Sequence, residues 1–318
     1  MEKLKSLDFY DEDVGETLAS VDRAALKEWL TTSGADNDLP VARALRNAHG
    51  DVASTLLDIM LDRFGASVED GGIGRDWLSA RGRKGRTVLH TAVRGDNNTE
   101  LIQQIIDELD DDSLWLQDDS QETAFTSACR CSANFEVAAL LLARCSAKHF
   151  LLQDYIGATP LACSLSEWTG DAVLSAMERQ ASLNDEERAL VERALMLKDH
   201  NGYTAIHQAL RYSGRLPANT AERILALNPL ILTVQSLQGR TALHILAGLR
   251  ALIVTEAHLL LLGVLLRYAD RATLQLRDSN GETATELCHR NSRMGRGQGP
   301  ALRERFRTFG APKGAIES

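Results

Sequence analysis

Polar and apolar positions alternate along the chain in a recurring cycle: a polar turn, a short stretch rich in Ala and Leu, a second polar turn, and a longer amphipathic stretch. Residues 198–228 show the cycle clearly. Asp199-His200-Asn201-Gly202 carries turn chemistry, because Asp and Asn side chains bond their own backbone and Gly accepts positive φ. Thr204 then stands where a helix N-cap is needed, its hydroxyl accepting a first-turn amide. Residues 205–210 predict a short helix whose small side chains let a neighbour approach closely. Residues 221–227 predict a second, amphipathic helix that ends before Pro229. The same pattern predicts second helices over residues 101–106, 135–142 and 257–266.

The cycle has a fixed register. When the chain is aligned on Thr87, Thr123, Thr159, Thr204, Thr241 and Thr283, the residues two positions earlier are Gly85, Gln121, Gly157, Gly202, Gly239 and Gly281. Asp118, Asp154, Asp199 and Asp278 stand five positions before their threonines. Leu89, Phe125, Leu161, Ile206 and Leu243 stand two after, and His90, His207 and His244 three after. A repeating unit of this kind cannot bury its apolar face alone, so it predicts a stacked array.

The unit Asp-x-x-Gly-x-Thr-x-Leu-His resembles the ankyrin repeat, whose hallmark is Thr-Pro-Leu-His after Asp-x-x-Gly, and the resemblance covers residues 76–310. It implies an all-α ankyrin-repeat solenoid of helix-turn-helix units with β-turn fingers and helical caps. It also implies a protein–protein interaction function, as scaffold, adaptor or inhibitor, without intrinsic catalysis or a cofactor. The chain departs from the pattern in several places. Only Thr159-Pro160-Leu161 keeps the proline, and Thr126 and Ala162 replace the histidine. The threonines are spaced 36, 36, 45, 37 and 42 residues apart. The excess maps to residues 178–197, rich in helix formers, and to 213–220 and 251–256, read as edge insertions.

Three segments are expected: a helical N-terminal cap over 1–70, the array over 71–310, and a frayed tail over 311–318, with Gly71-Gly72-Ile73-Gly74 as the joint. Residues 39–58 read as a degenerate first repeat. Their Ala-Leu stretch, Gly-Asp turn and Leu-Leu stretch also resemble the last two helices of a ubiquitin-associated domain, which would make the chain a ubiquitin-linked adaptor. An unrelated helical cap is the third reading. The basic residues Arg303, Arg305 and Arg307, with Glu304, suit the polar outer face of a terminal unit.

A net charge of −9 argues against general nucleic-acid affinity. The longest strongly apolar stretch, residues 259–266, is too short to span a bilayer, and the first residues lack an apolar signal core. The expectation is a cytoplasmic monomer with no membrane insertion. The five cysteines have no zinc spacing and read as reduced, buried small hydrophobes. Metalloprotease, hydrolase-elbow, phosphate-loop and kinase signatures are all missing from the sequence. The histidine row reads as scaffold, with each imidazole bonding threonine and backbone groups of adjacent loops, and no metal site is expected.

Counting seven residues beyond each threonine gives Arg94, Arg130, Ser166, Arg211, Gly248 and Arg290. Stacked regularly, these arginines would form a basic stripe along the concave surface, suited to an acidic peptide or protein face. Tyr155 and Tyr203 are expected at turn tips, and Trp168 and Tyr212 at inner-helix ends, as interface anchors. The candidate partner-binding residues are therefore Arg94, Arg130, Tyr155, Trp168, Tyr203, Arg211 and Tyr212.

Overall fold

The computed structural model describes residues 17–18, 20–32, 38–47, 50–64, 76–95, 99–130, 135–165, 169–213, 216–249, 255–292, 301 and 304–307. The joint expected at 71–74 and the tail at 311–318 lie outside them. The chain divides into two compact units, residues 1–144 and 145–318. Among the described residues there is no β-strand. The finger turns carry only single bridges, at Gln117–Thr123 and Arg277–Thr283.

In the first unit, α1 (Arg23–Thr31) starts at Asp22, whose carboxylate accepts from the amides of Ala24 and Ala25. Next come α2 (Pro40–Arg46) and α3 (Gly50–Phe64), then a single turn, α4 (Asp76–Ser79). The first clear repeat pairs α5 (Val88–Arg94) with α6 (Thr99–Glu108), followed by the turn α7 (Asp111–Leu114). The next pairs α8 (Ala124–Arg130) with α9 (Phe135–Ala143). The inner helices α2, α5 and α8 touch in succession, and each also packs on the longer helix that follows it. Leu39-Pro40-Val41 thus occupies the place that Thr-x-Leu holds elsewhere, with Pro40 at the first helical position. Pro40, Val41, Ala42, Ala44 and Leu45 are all buried, so α2 keeps no apolar face open.

The second unit opens with a 3₁₀ turn, Ala147–Leu151, followed by α10 (Pro160–Ser164) and α11 (Gly170–Ala181). The insertion at 178–197 forms a whole further helix, α12 (Asp185–Met196). Asn184 caps it by accepting the Glu187 amide at 2.8 Å, and the Glu187 carboxylate in turn accepts the Ala147 amide at 3.2 Å. Then α13 (Ala205–Gln208) runs into a π turn over Ala209–Ser213 where a continuous helix to Leu210 was expected. Further helices are α14 (Ala218–Leu227), α15 (Ala242–Ala247), α16 (Glu256–Tyr268), α17 (Arg271–Gln275) and α18 (Ala284–Ser292), with a 3₁₀ turn over Pro229–Thr233 after α14.

The position two after the threonine supplies the core in the first five repeats, and in the sixth it is the half-buried Thr285. Leu89, Phe125, Leu161, Ile206 and Leu243 are all buried, each contributing about 1.5–3 kcal/mol by leaving water. The fingers are built by the residue five before. The Asp199 carboxylate accepts the amides of Asn201 and Tyr203, both at 2.8 Å, and Ser236 does the same job with its hydroxyl in the fifth repeat. Gly157 and Gly202 are required on two counts. Both have left-handed φ, 82° and 77°, and a Cβ on either would lie 2.8 or 2.7 Å from the backbone of the next finger.

Candidate functional site

The histidine row is a set of capping boxes. The Thr204 amide and hydroxyl both reach His207 Nδ1, at 3.4 and 2.8 Å. An amide hydrogen pointing at Nδ1 makes that nitrogen an acceptor, so the proton sits on Nε2, which donates to the Arg240 carbonyl 3.2 Å away in the next repeat. His90 and His244 repeat the arrangement, reaching the carbonyls of Glu122 and Glu282. Burial is the main cause that lowers the pKa of all three, His207 to about 4. Thr126 and Glu286 substitute for the imidazole, each accepting its threonine's amide. Ser146–His149 and Thr255–His258 make two further boxes outside the register that sequence reading followed. No group of three metal-ligating side chains is assembled among the described residues. Cys129, Cys145, Cys163 and Cys288 are buried thiols that form no disulfide, and desolvation pushes Cys145 up to about 12.

The arginines seven after the register residue meet the residue one before it. Arg130 pairs with Glu122 at 3.1 Å, and Arg290 with Glu282 at 2.8 Å. Arg211 donates to the Tyr203 hydroxyl at 2.7 Å. Arg46 pairs with Asp38 in the same relation to Leu39, which extends the register to the N-terminal helix pair. In the first clear repeat the residue one before is Arg86, so Arg94 turns to Glu122 of the next finger. Arg86 itself pairs with Asp118 at 3.4 Å, and Arg240 with Asp278 at 3.8 Å, so an arginine at that position reaches the aspartate that builds the following finger.

These pairs place several of the sequence-predicted residues. Arg94 and Arg130 share the Glu122 carboxylate. Tyr203 is not at a tip. It lies one residue past the finger glycine, is 4% exposed, stacks on His207 at 5.9 Å and carries Arg211 on its hydroxyl. Tyr155 is at a tip and 56% exposed. Trp168 and the Tyr212 side chain lie outside the described residues.

Sequence reading missed two features of the finger edge in the second unit. The side chain six before each threonine laces adjacent fingers. Gln153 donates to the Lys198 carbonyl at 3.0 Å, Lys198 to Gln235 at 2.9 Å, and Gln235 to Arg277 at 2.8 Å. The tips are joined by backbone bonds as well: His200 to Ile156 at 2.9 Å, Leu237 to Asn201 at 3.0 Å, and Ser279 to Gln238 at 2.9 Å. On this hydrogen-bonded row the apolar side chains of Tyr155, Ile156 (38% exposed) and Leu237 (78% exposed) face water. Charge also divides between the units. Residues 1–144 carry 15 Lys and Arg against 27 Asp and Glu, and residues 145–318 carry 20 against 17.

Turns, short inner helices and longer outer helices in fixed register make the chain a helical repeat array. No protein-family model matches the sequence, and no curated protein matches it. Among solved structures, the ankyrin repeat domain of Bcl-3, a member of the IkappaB family, is similar with a TM-score of 0.56 and 17% identity, over 86% of this chain and 99% of that one. An ankyrin repeat domain from Acinetobacter baumannii AYE is similar with a TM-score of 0.52 and 18% identity, over 70% of this chain and 98% of that one. The chain has the ankyrin-repeat fold. No helix among the described residues is long and apolar enough to cross a membrane.

Proposed function

We propose that the chain is a non-catalytic protein–protein interaction module, a scaffold, adaptor or inhibitor, whose partner docks on the finger tips of the second unit. The observation that carries this reading is the apolar row of Tyr155, Ile156 and Leu237, held on fingers that are bonded to one another. The corresponding tips of the second, fourth and sixth repeats are polar, Asp119-Ser120, His200-Asn201 and Ser279-Asn280, so the turn itself does not demand apolar residues, and the apolar tips flank the His200-Asn201 finger. A large aromatic on a pre-ordered frame is the usual composition of an interface anchor, because little conformational entropy is lost when it is covered. Residues 145–318 have a net charge of +3, and Lys198 and Arg277 lie on the same edge, which favours a partner with an acidic rim.

In this reading Arg94, Arg130 and Arg211 recognise partner carboxylates only by giving up Glu122 or Tyr203. That exchange makes them secondary to the tips. The ubiquitin-linked reading has no comparable support, since the apolar residues of α2 are buried within the first unit.

The test replaces Tyr155, Ile156 and Leu237 by Ser together and compares partner capture from native cell extract with that of the parent chain. Loss of the captured partner with an unchanged melting temperature supports the reading. Unchanged capture removes it.

A further inference from the structure

The finger of the first clear repeat differs from the others. Residues 81–86 read Arg-Gly-Arg-Lys-Gly-Arg, four cations and no acid, with Gly82 where four other fingers have the building aspartate. A carboxylate from outside the finger reaches it instead, Asp38 accepting the Arg83 amide at 2.9 Å, one residue before the first amide that a finger aspartate takes. Lys84 is also unusual, a non-glycine residue held at φ 60° and ψ 29° in the left-handed region. Beside this finger lies a cleft of about 290 Å³ within the first unit, lined by Arg46, Arg83, Lys84, Arg86 and Arg94, with Asp38 as the single carboxylate among the described residues that line it.

Pairing the charges off shows what the cleft lacks. Asp38 is held by Arg46, Asp118 by Arg86, and Glu122 by Arg94 and Arg130. That leaves Arg83 and Lys84, both exposed, with no ion-pair partner for either side chain among the described residues. Asp119 on the next finger donates its amide to the Lys84 carbonyl at 3.0 Å, and its carboxylate lies against Gly85 without an ion pair to either cation among the described residues. Two cations without an ion pair among the described residues therefore line a cleft that also holds three guanidinium groups, Asp38, Thr91 and Gly95, inside the half of the chain that is otherwise strongly acidic.

We propose that this cleft is an anion-binding site for a phosphoryl group carried by a partner peptide, with Arg83 and Lys84 as its principal ligands and Arg46 and Arg86 as flanking donors. The choice of phosphoryl over carboxylate follows from charge and donor number. A phosphoryl group brings nearly two negative charges and three strong acceptor oxygens, enough to satisfy both free cations together. A planar guanidinium grips two of those oxygens while the ammonium acts as a point charge. A nucleic-acid backbone would need a basic track that extends beyond one finger, and the surrounding charge of −12 over residues 1–144 opposes that. The site is in the first unit and stands or falls independently of the finger tips of the second.

The experiment titrates the full chain into two fluorescently labelled short peptides, identical except for a central phosphoserine or glutamate, and reads anisotropy. The phosphoserine peptide is expected to bind about tenfold more tightly than the glutamate peptide, roughly 1.4 kcal/mol, and inorganic phosphate is expected to compete. Replacing Arg83→Gln and Lys84→Gly together should remove that advantage. The melting temperature should not fall, because Gly suits the positive φ at residue 84. Arg83→Gln alone, with the Lys84 backbone untouched, gives the same comparison should the double variant melt early, and Arg290→Gln should bind as the parent does. The proposal is overturned by any of four results: no phosphopeptide binding at millimolar concentration, undiminished binding by the variants, equal affinity for the glutamate peptide, or tighter binding of a single-stranded RNA oligonucleotide.

Discussion

Arg211 donates to the Tyr203 hydroxyl at 2.7 Å and lies 5.2 Å from the centroid of the same ring. The two residues stand seven after and one before Thr204, the relation that Arg130 has to Glu122 and Arg290 to Glu282. A phenol in one repeat and carboxylates in others thus hold an arginine in one place, tying the end of an inner helix to its own finger.

Removing the phenol oxygen tests that tie. Tyr203→Phe keeps the buried ring and is expected to cost about 1 kcal/mol, and a double-mutant cycle with Arg211→Gln should return a coupling of similar size. Urea denaturation of the four proteins measures it. Additive effects would show that the pair is incidental to stability.

The buried histidines predict a pH dependence with a definite sign. In the fold His207 is neutral, its pKa lowered to about 4 chiefly by desolvation, whereas in the unfolded chain it takes up a proton near pH 6.5. Stability is therefore at its plateau above pH 6.5 and falls as pH drops toward 4, by about 1.4 kcal/mol per pH unit for each such histidine. His90 and His244 are lowered in the same direction and add to the slope. Glu286, held low by the Thr283 amide, loses its contribution only at more acidic pH. Between pH 7 and pH 5, denaturation midpoints should decline more steeply for the parent than for His207→Gln. Equal slopes would contradict the assigned neutral tautomer.

The finger glycines should not be equivalent. Gly202→Ala suffers both the left-handed φ and a Cβ placed 2.7 Å from the Leu237 amide nitrogen. Gly281→Ala has the same backbone conformation, φ 76°, but nothing within 4 Å of the added carbon. The Gly281 variant should lose about 1 kcal/mol and the Gly202 variant clearly more. Thermal melts of the two decide it, and equal losses would mean that the fingers do not abut as described.

Much of the scaffold was legible from the threonine register, because a capping hydroxyl, a positive-φ residue and a buried aliphatic at fixed offsets have few structural solutions. Second helices such as Glu256–Tyr268 lie where their apolar periodicity placed them, with ends extended by polar residues that carry no periodic signal. The insertion at 178–197 was readable as helix-forming, but not as an independent helix capped by Asn184. Tyr203 misled for a physical reason. An aromatic one residue beyond a turn glycine looks like a tip residue, yet the left-handed Gly202 folds the chain back and carries the ring inward. Gln153, Lys198 and Gln235 gave no signal at all, since a side chain that bonds a neighbour's carbonyl is indistinguishable in sequence from one that is merely solvated. The basic finger at 81–86 escaped because an alignment searching for Asp five before the threonine finds only Gly82 there.

The finger-tip interface is tested most directly by site-specific photocrosslinking. A benzophenone amino acid is placed at Leu237, at Tyr155, or at Leu260, an exposed residue on the outer helix Glu256–Tyr268. The account predicts that residues 237 and 155 crosslink to the same partner in native extract and that residue 260 does not. Crosslinking from 260 alone, or to unrelated proteins from 155 and 237, would contradict it.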